Sequence, residues 1–215
     1  MQLSVVILNY NVRYFLEQCV LSVQEAIARI DAEIIVIDNN SSDESVLMMK
    51  EKFPDVKLIE NKENFGFPKG NNIGVRQAKG KYVCILNPDT VVAEDTFTKI
   101  LAFAERQNNL GIIGCKLIDG TGEFLPESKR GIPTPWVAFT KIFGLYKIFP
   151  QTKLFNQYYA QHLKENETGK VDILVGSFMF LENKLYEDLN GFDENCFMYA
   201  DDIDLSYRAL QKKKT

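Results

Sequence analysis

A repeated switch between two hydrophobic periods most constrains the fold of this chain. Short continuous apolar runs, which are typical of strands buried on both faces, begin each repeat. A polar segment follows each run, and apolar residues then recur at three- and four-residue steps, the spacing of an amphipathic helix. The predicted strands cover residues 5–8, 34–37, 56–59 and 82–86. Strands that alternate with helices need right-handed crossovers, so the sequence predicts an α/β fold with a mostly parallel central sheet flanked by helices.

The second half of the chain loses this rhythm. Residues 112–117 are predicted to form one more strand, but prolines then interrupt residues 126–150. Strand character returns at residues 171–181, and a last helix is predicted to begin near Asp201. Because the sequence contains no internal repeat or flexible linker, we expect a single domain over residues 1–215.

Composition excludes several classes of protein. The net charge of −4 argues against a nucleic-acid-binding protein, which would usually carry a basic face. The apolar run at residues 3–8 is too short for a signal peptide or a membrane span. Cys19 and Cys84 lie within apolar segments and are predicted to be buried thiols. These features favour the cytoplasm as the compartment.

Polar side chains follow each of the first four predicted strands. In an open parallel sheet, ligands bind beyond the carboxyl ends of the strands, where the loops converge. The polar segments are residues 9–11, 38–43, 61–72 and 87–89. Any one of them is typical of turns and helix caps, whereas four in succession favour a ligand site.

The third polar segment is rich in glycine. Its glycines and lysine, predicted to let the backbone approach a phosphate-bearing ligand, are Gly66, Gly70, Gly74 and Lys69. Neither a G-x-G-x-x-G nor a Walker pattern is present, and no glycine follows the first strand, so a dinucleotide dehydrogenase is not supported. A dehalogenase-type phosphatase would need a second aspartate two residues after Asp38, where Asn40 stands.

Two acidic regions of the sequence could take part in metal binding or in acid–base catalysis. Asp89 follows a buried strand and could bind a hard divalent cation whose other ligands are phosphate oxygens and water, or could instead cap the next helix. Asp201, Asp202 and Asp204 open the last helix, where acidic residues also offset the helix dipole. Three carboxylates exceed that need, and crowding raises their pKa, which suits a general base.

Five ordered motifs together resemble the family 2 glycosyltransferases, and within them the rhamnosyltransferase-like branch of bacterial polysaccharide synthesis. The motifs are VVILNYN at 5–11, VIDNNSSD at 36–43, NFGFPKGNN at 64–72, LNPD at 86–89, and GFDE at 191–194 continuing to YADDIDL at 199–205. The resemblance extends over residues 3–208. It implies a GT-A fold with a Rossmann-like sheet, in which residues 1–118 form the nucleotide-binding half and residues 119–215 the acceptor half. Relatives usually continue past the final helix, so a C-terminal segment is expected to be missing.

The resemblance also implies an activity. We expect inverting transfer of a sugar from a nucleotide-sugar donor to a glycan or lipid-linked acceptor in cell-surface polysaccharide synthesis. Rhamnose on deoxythymidine diphosphate is the donor that the branch suggests, with uridine and guanosine donors open. A catalytically inactive module that binds a nucleotide sugar or a glycan is the alternative.

Residue roles follow from the same resemblance. The residues expected to bind the nucleotide are Leu8, Asn9, Tyr10, Asn11, Asp38, Asn64, Gly66, Lys69, Asn72 and Asn87. Asp89 is the expected ligand of Mg²⁺ or Mn²⁺, Asp202 the expected general base, and Asp201 the other member of its acidic pair. The residues expected to line the sugar and acceptor site are Gly176, Ser177 and Asp193.

Aromatic residues are concentrated between residues 136 and 159. One interpretation is core packing. The other is an interfacial helix near a lipid-linked acceptor, because Trp, Tyr and Lys suit the membrane boundary, and this would place the protein peripherally at the inner face of the membrane.

Overall fold

The computed structural model describes residues 1–132, Pro135, Leu163 and residues 165–212. The aromatic segment at residues 136–159 lies outside this described part. Both interpretations of that segment, including peripheral membrane contact, therefore stay predictions.

A five-stranded sheet forms the centre of the fold. Its strands, in spatial order, are β3 (Lys57–Glu60), β2 (Ala32–Asp38), β1 (Leu3–Asn9), β4 (Tyr82–Leu86) and β7 (Phe178–Glu182). The first four are parallel, and β7 runs antiparallel to β4. The predicted α/β fold with a mostly parallel sheet is therefore confirmed. The register pairs Asn9 with Asp38, so the carboxyl ends of β1 and β2 meet at one edge.

Helices cover both faces of this sheet. They are α1 (Arg13–Ile27), α2 (Ser45–Lys52), α3 (Gly66–Val75), α4 (Thr96–Ala104), α5 (Asn183–Asp188) and α6 (Asp201–Gln211). Because side chains of a strand alternate between faces, Val5 and Ile7 pack with α1, α2 and α4, whereas Val6 and Leu8 pack with α3, α5 and α6. In the described residues, no helix combines the length and the apolar character that crossing a membrane needs.

The prediction of a strand at residues 112–117 is wrong. The segment makes a single antiparallel bridge, in which Ile113 and Phe180 exchange two backbone hydrogen bonds. The chain then turns back on itself, because the Leu117 carbonyl accepts from the Leu125 amide and Ile118 bridges Phe124. A strand partner is thus available for one residue pair only.

Residues 171–181 form two strands rather than one. β6 (Ile173–Leu174) pairs with β5 (Lys129–Arg130) in a separate two-stranded sheet, and β7 joins the central sheet. The turn between β6 and β7 contains Gly176 and Ser177, which places both residues beside the end of β4.

The predicted glycine-rich loop ends at Phe65, because α3 begins at Gly66. A Cβ atom on Gly74 would lie 2.3 Å from Ile37 Cδ1, and one on Gly70 would lie 2.5 Å from Leu8 Cδ1. These two glycines therefore let α3 pack closely on the sheet, and the expectation that they approach a phosphate is replaced by a packing role.

Candidate functional site

The end of β1 is joined to the end of β2 by buried polar side chains. Asn9 Nδ2 donates to Asp38 Oδ1 at 2.7 Å and to Ser41 Oγ at 3.1 Å. The other carboxylate oxygen, Asp38 Oδ2, accepts from the Ser41 amide at 2.8 Å. Asp38 is 2% exposed and Asn9 is fully buried, so the bond between these two side chains is shielded from water. We call Asn9, Asp38, Ser41 and Asn11 the donor edge, after the nucleotide-sugar donor that the sequence is expected to bind there.

Asn11 connects the two loops above this edge. Its φ of 54° places it in the left-handed region, which Asn tolerates better than most residues. The backbone amide of Asn11 donates to Ser41 Oγ at 2.9 Å, and its side-chain Oδ1 accepts from the backbone amide of Ser42 at 2.8 Å. Tyr10 remains 48% exposed above the edge, whereas the Leu8 side chain is buried in the core beneath α3. Of these three predicted residues, the structure thus brings Tyr10 and Asn11 to the surface of the edge.

A chain of amides leads from the donor edge to the start of α3. Asn39 Nδ2 donates to Asn64 Oδ1 at 3.1 Å and to the Gly66 carbonyl at 3.2 Å. Asn64 Oδ1 also accepts from the Gly66 amide at 2.9 Å. On the first turns of α3, Lys69 Nζ lies 3.9 Å from the centroid of the Phe65 ring. Asn64 and Gly66 are therefore linked to the donor edge through Asn39, Lys69 lies beside Phe65, and the nucleotide contacts expected of all three stay predictions.

Asn72 has a different environment. Its Nδ2 donates to the Phe192 carbonyl and to Glu194 Oε1, while its Oδ1 accepts from the Tyr186 hydroxyl and the Phe192 amide. These four bonds use the full hydrogen-bonding capacity of an amide side chain. Asn72 therefore connects α3 to the segment after α5. Its side chain has no free polar atom for a nucleotide in this arrangement, and the expected contact stays a prediction.

The end of β4 presents Asn87 and Asp89. The backbone amide of Asn87 donates to the Ser177 carbonyl at 3.0 Å. The side-chain oxygen, Asn87 Oδ1, is buried and has no hydrogen-bond partner among the described residues. Asp89 is exposed. An accessible carboxylate with an unpartnered amide oxygen two residues earlier suits a hard divalent cation, which takes oxygen ligands. No group of three or more His, Cys, Asp or Glu side chains that could hold a metal occurs among the described residues.

The acidic pair, Asp201 and Asp202, begins α6 and is buried. Asp202 Oδ2 accepts from the Gly176 amide at 3.2 Å and forms an ion pair with the Arg130 guanidinium. Burial raises the pKa of Asp201, and the neighbouring Asp202 carboxylate raises it further. The residue before the pair, Ala200, has a φ of 65°, so the chain enters α6 through a left-handed position.

Arg130 is a residue that sequence reasoning missed. It lies on β5, 72 positions before Asp202, and its side chain is 20% exposed. No periodicity or motif in the irregular half of the chain distinguishes it. Only the pairing of β5 with β6 brings its guanidinium to the acidic pair.

The turn at Gly176 and Ser177 joins two of the predicted groups. Through the Ser177 carbonyl it contacts Asn87, and through the Gly176 amide it contacts Asp202. Asp193 lies elsewhere, in a cavity of about 470 Å³ whose lining also includes Asn72, Glu194, Asp204 and Arg208. Neither Gly176, Ser177 nor Asp202 lines that cavity. The structure therefore groups Gly176 and Ser177 with the acidic pair, and Asp193 with the segment that follows α5.

A family model described as "Glycosyl transferase family 2" matches residues 4–189 of the chain. The low-salt glycan biosynthesis hexosyltransferase Agl10 of Haloferax volcanii is 28% identical over 214 residues, covering 98% of this chain and 62% of that protein. The minor teichoic acid biosynthesis protein GgaB of Bacillus subtilis is 30% identical over 217 residues, covering 98% and 21%. An N-acetylglucosaminyl-diphospho-decaprenol L-rhamnosyltransferase of Mycobacterium tuberculosis is 24% identical over 217 residues, covering 96% and 69%. The chain thus spans less than two thirds of the first two relatives.

Solved structures with the same architecture include two complexes with nucleotide sugars. The mannosyltransferase PcManGT of Pyrobaculum calidifontis, in complex with GDP-Man and Mn²⁺, has a TM-score of 0.65 at 21% identity, covering 98% of this chain and 51% of that one. Residues 1–349 of S. aureus TarS, in complex with UDP-GlcNAc, give a TM-score of 0.66 at 17% identity, covering 97% and 53%.

Proposed function

Because this chain belongs to glycosyl transferase family 2 and has the GT-A fold, we propose that it transfers a sugar from a nucleotide-sugar donor to a hydroxyl group of a glycan or lipid-linked acceptor. The product is expected to have inverted configuration at the anomeric carbon. One observation carries the proposal: the turn at Gly176 and Ser177 connects the end of β4 to the buried acidic pair. The names of the three relatives, which concern glycans, teichoic acid and a lipid-linked sugar, support a role in cell-surface polysaccharide synthesis.

The nucleoside is assigned to the donor edge. Both oxygens of Asp38 are engaged by protein groups, so Asp38 is expected to orient Asn9 and Ser41 rather than to lose those bonds to a ligand. Asn9 Oδ1 is buried and has no partner among the described residues, which leaves one acceptor for a donor group of the ligand. The exposed ring of Tyr10 offers a flat surface for the base. Uridine, thymidine and guanosine donors all fit this description, and rhamnose stays one candidate sugar.

Asp89 and Asn87 would hold the divalent cation, Mg²⁺ or Mn²⁺. When bound, the cation supplies positive charge that stabilises the diphosphate leaving group. Because such cations keep only one or two protein carboxylates and fill their remaining positions with phosphate oxygens and water, a single exposed carboxylate is sufficient. The Mn²⁺ and GDP-Man bound to PcManGT support the use of a divalent cation, and the assignment to Asp89 and Asn87 rests on their position at the end of β4.

Asp202 is assigned as the general base. Its carboxylate accepts the proton of the acceptor hydroxyl, and the hydroxyl oxygen attacks the anomeric carbon from the face opposite the diphosphate. The bond from the anomeric carbon to the diphosphate oxygen breaks, and its electron pair leaves with the diphosphate. The Gly176 amide and the Arg130 guanidinium hold the Asp202 carboxylate in one orientation. The carboxylate therefore loses little conformational freedom when the reaction occurs.

Calorimetric titration of UDP, dTDP and GDP, each with Mn²⁺ and with a chelator, tests the donor site. We expect one of the three nucleotides to bind, and the chelator to weaken its binding. Asp89→Asn should weaken binding in Mn²⁺ to the level seen with chelator, while the exposed-site variant Asp55→Asn should bind as the wild type does. Failure of all three nucleotides to bind would contradict the proposal.

The inactive binding module makes a different prediction. Such a protein would bind a nucleotide sugar but neither transfer nor hydrolyse it, so the wild type itself would show no turnover. A lipid-linked acceptor would also bring the protein to a membrane surface, which co-sedimentation with anionic liposomes measures directly. Trp136 and Phe143 belong to the aromatic segment at residues 136–159, and loss of co-sedimentation in Trp136→Ser plus Phe143→Ser would support its interpretation as an interfacial helix.

A further inference from the structure

We propose that Gly66 is a positioning residue that connects the donor edge to the acidic pair by admitting the carbonyl group of Phe197. Its effect on the reaction rests on the proposed transferase function, whereas the contact itself does not. This role differs from the nucleotide contact that the sequence predicts for Gly66.

The space beside Gly66 has no room for a side chain. A Cβ atom there would lie 2.4 Å from the Phe197 carbonyl oxygen and 2.8 Å from Phe197 Cδ2. The first of these atoms belongs to the backbone, which cannot move aside as the tip of a flexible side chain can. The φ of Gly66 is +77°, a left-handed conformation that disfavours any side chain. Both observations require glycine at this position.

This close approach forms a hydrogen bond between distant segments. The Phe67 amide donates to the Phe197 carbonyl oxygen at 2.9 Å. Amides in the first turn of a helix have no acceptor within the helix, so the Phe197 carbonyl satisfies a donor that would otherwise need water or a ligand. The start of α3 is therefore joined to the segment that precedes α6.

The segment from Phe197 to Ala200 is otherwise poorly anchored by burial. Phe197, Met198 and Tyr199 are all more than half exposed, and Tyr199 reaches 81%. Tyr199 and Ala200 have φ values of 72° and 65°, and such left-handed positions are strained for residues other than glycine. The acidic pair follows immediately. A strained, exposed connection leaves the position of the pair dependent on where Phe197 is held.

A series of contacts therefore connects the donor edge with the segment that precedes the acidic pair. Asn39, which follows Asp38, bonds to Asn64 and to the Gly66 carbonyl. Gly66 and Phe67 contact Phe197, four residues before Asp201. Because a displacement of about 1 Å at a reacting group can lower a rate about 100-fold, movement of Phe197 is expected to affect turnover rather than nucleotide affinity.

The test compares Gly66→Ala with Gly122→Ala in the chain of residues 1–215. Gly122 has a φ of +89° and no atom within 4 Å of an added Cβ, so its variant reproduces the backbone strain without the collision. We expect Gly66→Ala to lower kcat about 100-fold while the Kd for the nucleotide stays unchanged, and Gly122→Ala to change neither. Weaker nucleotide binding with unchanged kcat in Gly66→Ala would overturn the proposal and restore the role of a nucleotide contact.

Amide hydrogen exchange, followed by NMR, tests the contact independently of activity. In the wild type, the Phe67 amide should exchange slowly, and Gly66→Ala should accelerate exchange at Phe67 and at residues 196–200 but not in β1. Rapid exchange at Phe67 in the wild type would overturn the inference even if Gly66→Ala fails to fold. A wild type with a protected Phe67 amide and no transferase activity would instead retain the contact and contradict the proposed function.

Discussion

The side chains of the donor edge and those of the acidic pair are held in place in different ways. At the donor edge, Asn9 and Asp38 are paired residues of the adjacent strands β1 and β2, and Ser41, in the loop after β2, bonds to both. The acidic pair depends on groups from remote parts of the chain, namely the Arg130 guanidinium, the Gly176 amide and the segment fixed at Phe197.

We expect this difference to separate nucleotide binding from turnover. Bonds at the donor edge stabilise the sheet as well as the site, so changes there should lower stability together with nucleotide affinity. The contacts of Asp202 with Arg130 and Gly176 are not part of the central sheet, and in the proposed mechanism they orient the general base. Changes there should lower the rate and leave nucleotide affinity intact.

The strongest test of this separation is Asp202→Asn. The amide cannot accept the proton of the acceptor hydroxyl, so we expect kcat to fall about 100- to 10,000-fold with an unchanged Kd for the nucleotide. The matched control is Asp204→Asn, because Asp204 lies two residues along α6 and pairs with Arg208 instead. Steady-state kinetics and calorimetry measure the two quantities, and a parallel loss of nucleotide binding would remove the distinction between the two regions.

Arg130→Met should have the next largest effect. Loss of the guanidinium leaves Asp202 with fewer partners, and we expect kcat to fall about 10- to 100-fold through poorer orientation. Arg130→Lys should recover part of the rate, because it keeps the charge but not the planar donor geometry. The neighbouring Lys129→Met serves as the control in the same kinetic assay. Equal rates for Arg130→Met and the wild type would show that Arg130 has no positioning role.

At the donor edge, Asp38→Asn should lower stability. An amide side chain offers one acceptor oxygen, so either Asn9 Nδ2 or the Ser41 amide loses its partner in a buried environment. Leaving such a donor unsatisfied costs about 1–3 kcal/mol, which urea unfolding at neutral pH should detect. Asp55→Asn, at an exposed carboxylate, provides the reference, and an unfolding free energy equal to that of Asp55→Asn would argue against the proposed rigidity of the edge.

The smallest expected effect concerns pH. Burial raises the pKa of Asp201 above 3.8, so stabilisation by its neutral form is complete below pH 3.8 and is lost as the pH rises through the raised value. Asp201→Asn stays neutral, and its unfolding free energy relative to the wild type should therefore increase with pH. Asp193 provides the opposite control, because hydrogen bonds from the Asn195 backbone and side chain lower its pKa. Urea unfolding at pH values on both sides of 3.8 should therefore give slopes of opposite sign, below pH 3.8 for Asp193→Asn and above pH 3.8 for Asp201→Asn.

Much of the first half of the fold could be predicted from local patterns. The four parallel strands were expected within a few residues of their observed bounds, because a strand buried on both faces needs a continuous apolar run. The polar loops after them were also expected at one edge. The segment at residues 112–117 was misjudged, since its apolar residues match a strand but only Ile113 finds a paired neighbour.

By itself, then, the sequence determined the alternation of strands and helices, the edge at which polar residues gather, and membership of the family through its ordered motifs. Only the tertiary structure decided that Arg130 pairs with Asp202, that Asn72 is saturated by protein contacts, and that Gly66 faces Phe197. Periodicity and capping act over a few residues and leave a local pattern. Contacts between remote segments depend on how closely the packed elements approach one another. No local pattern in the sequence reports that distance.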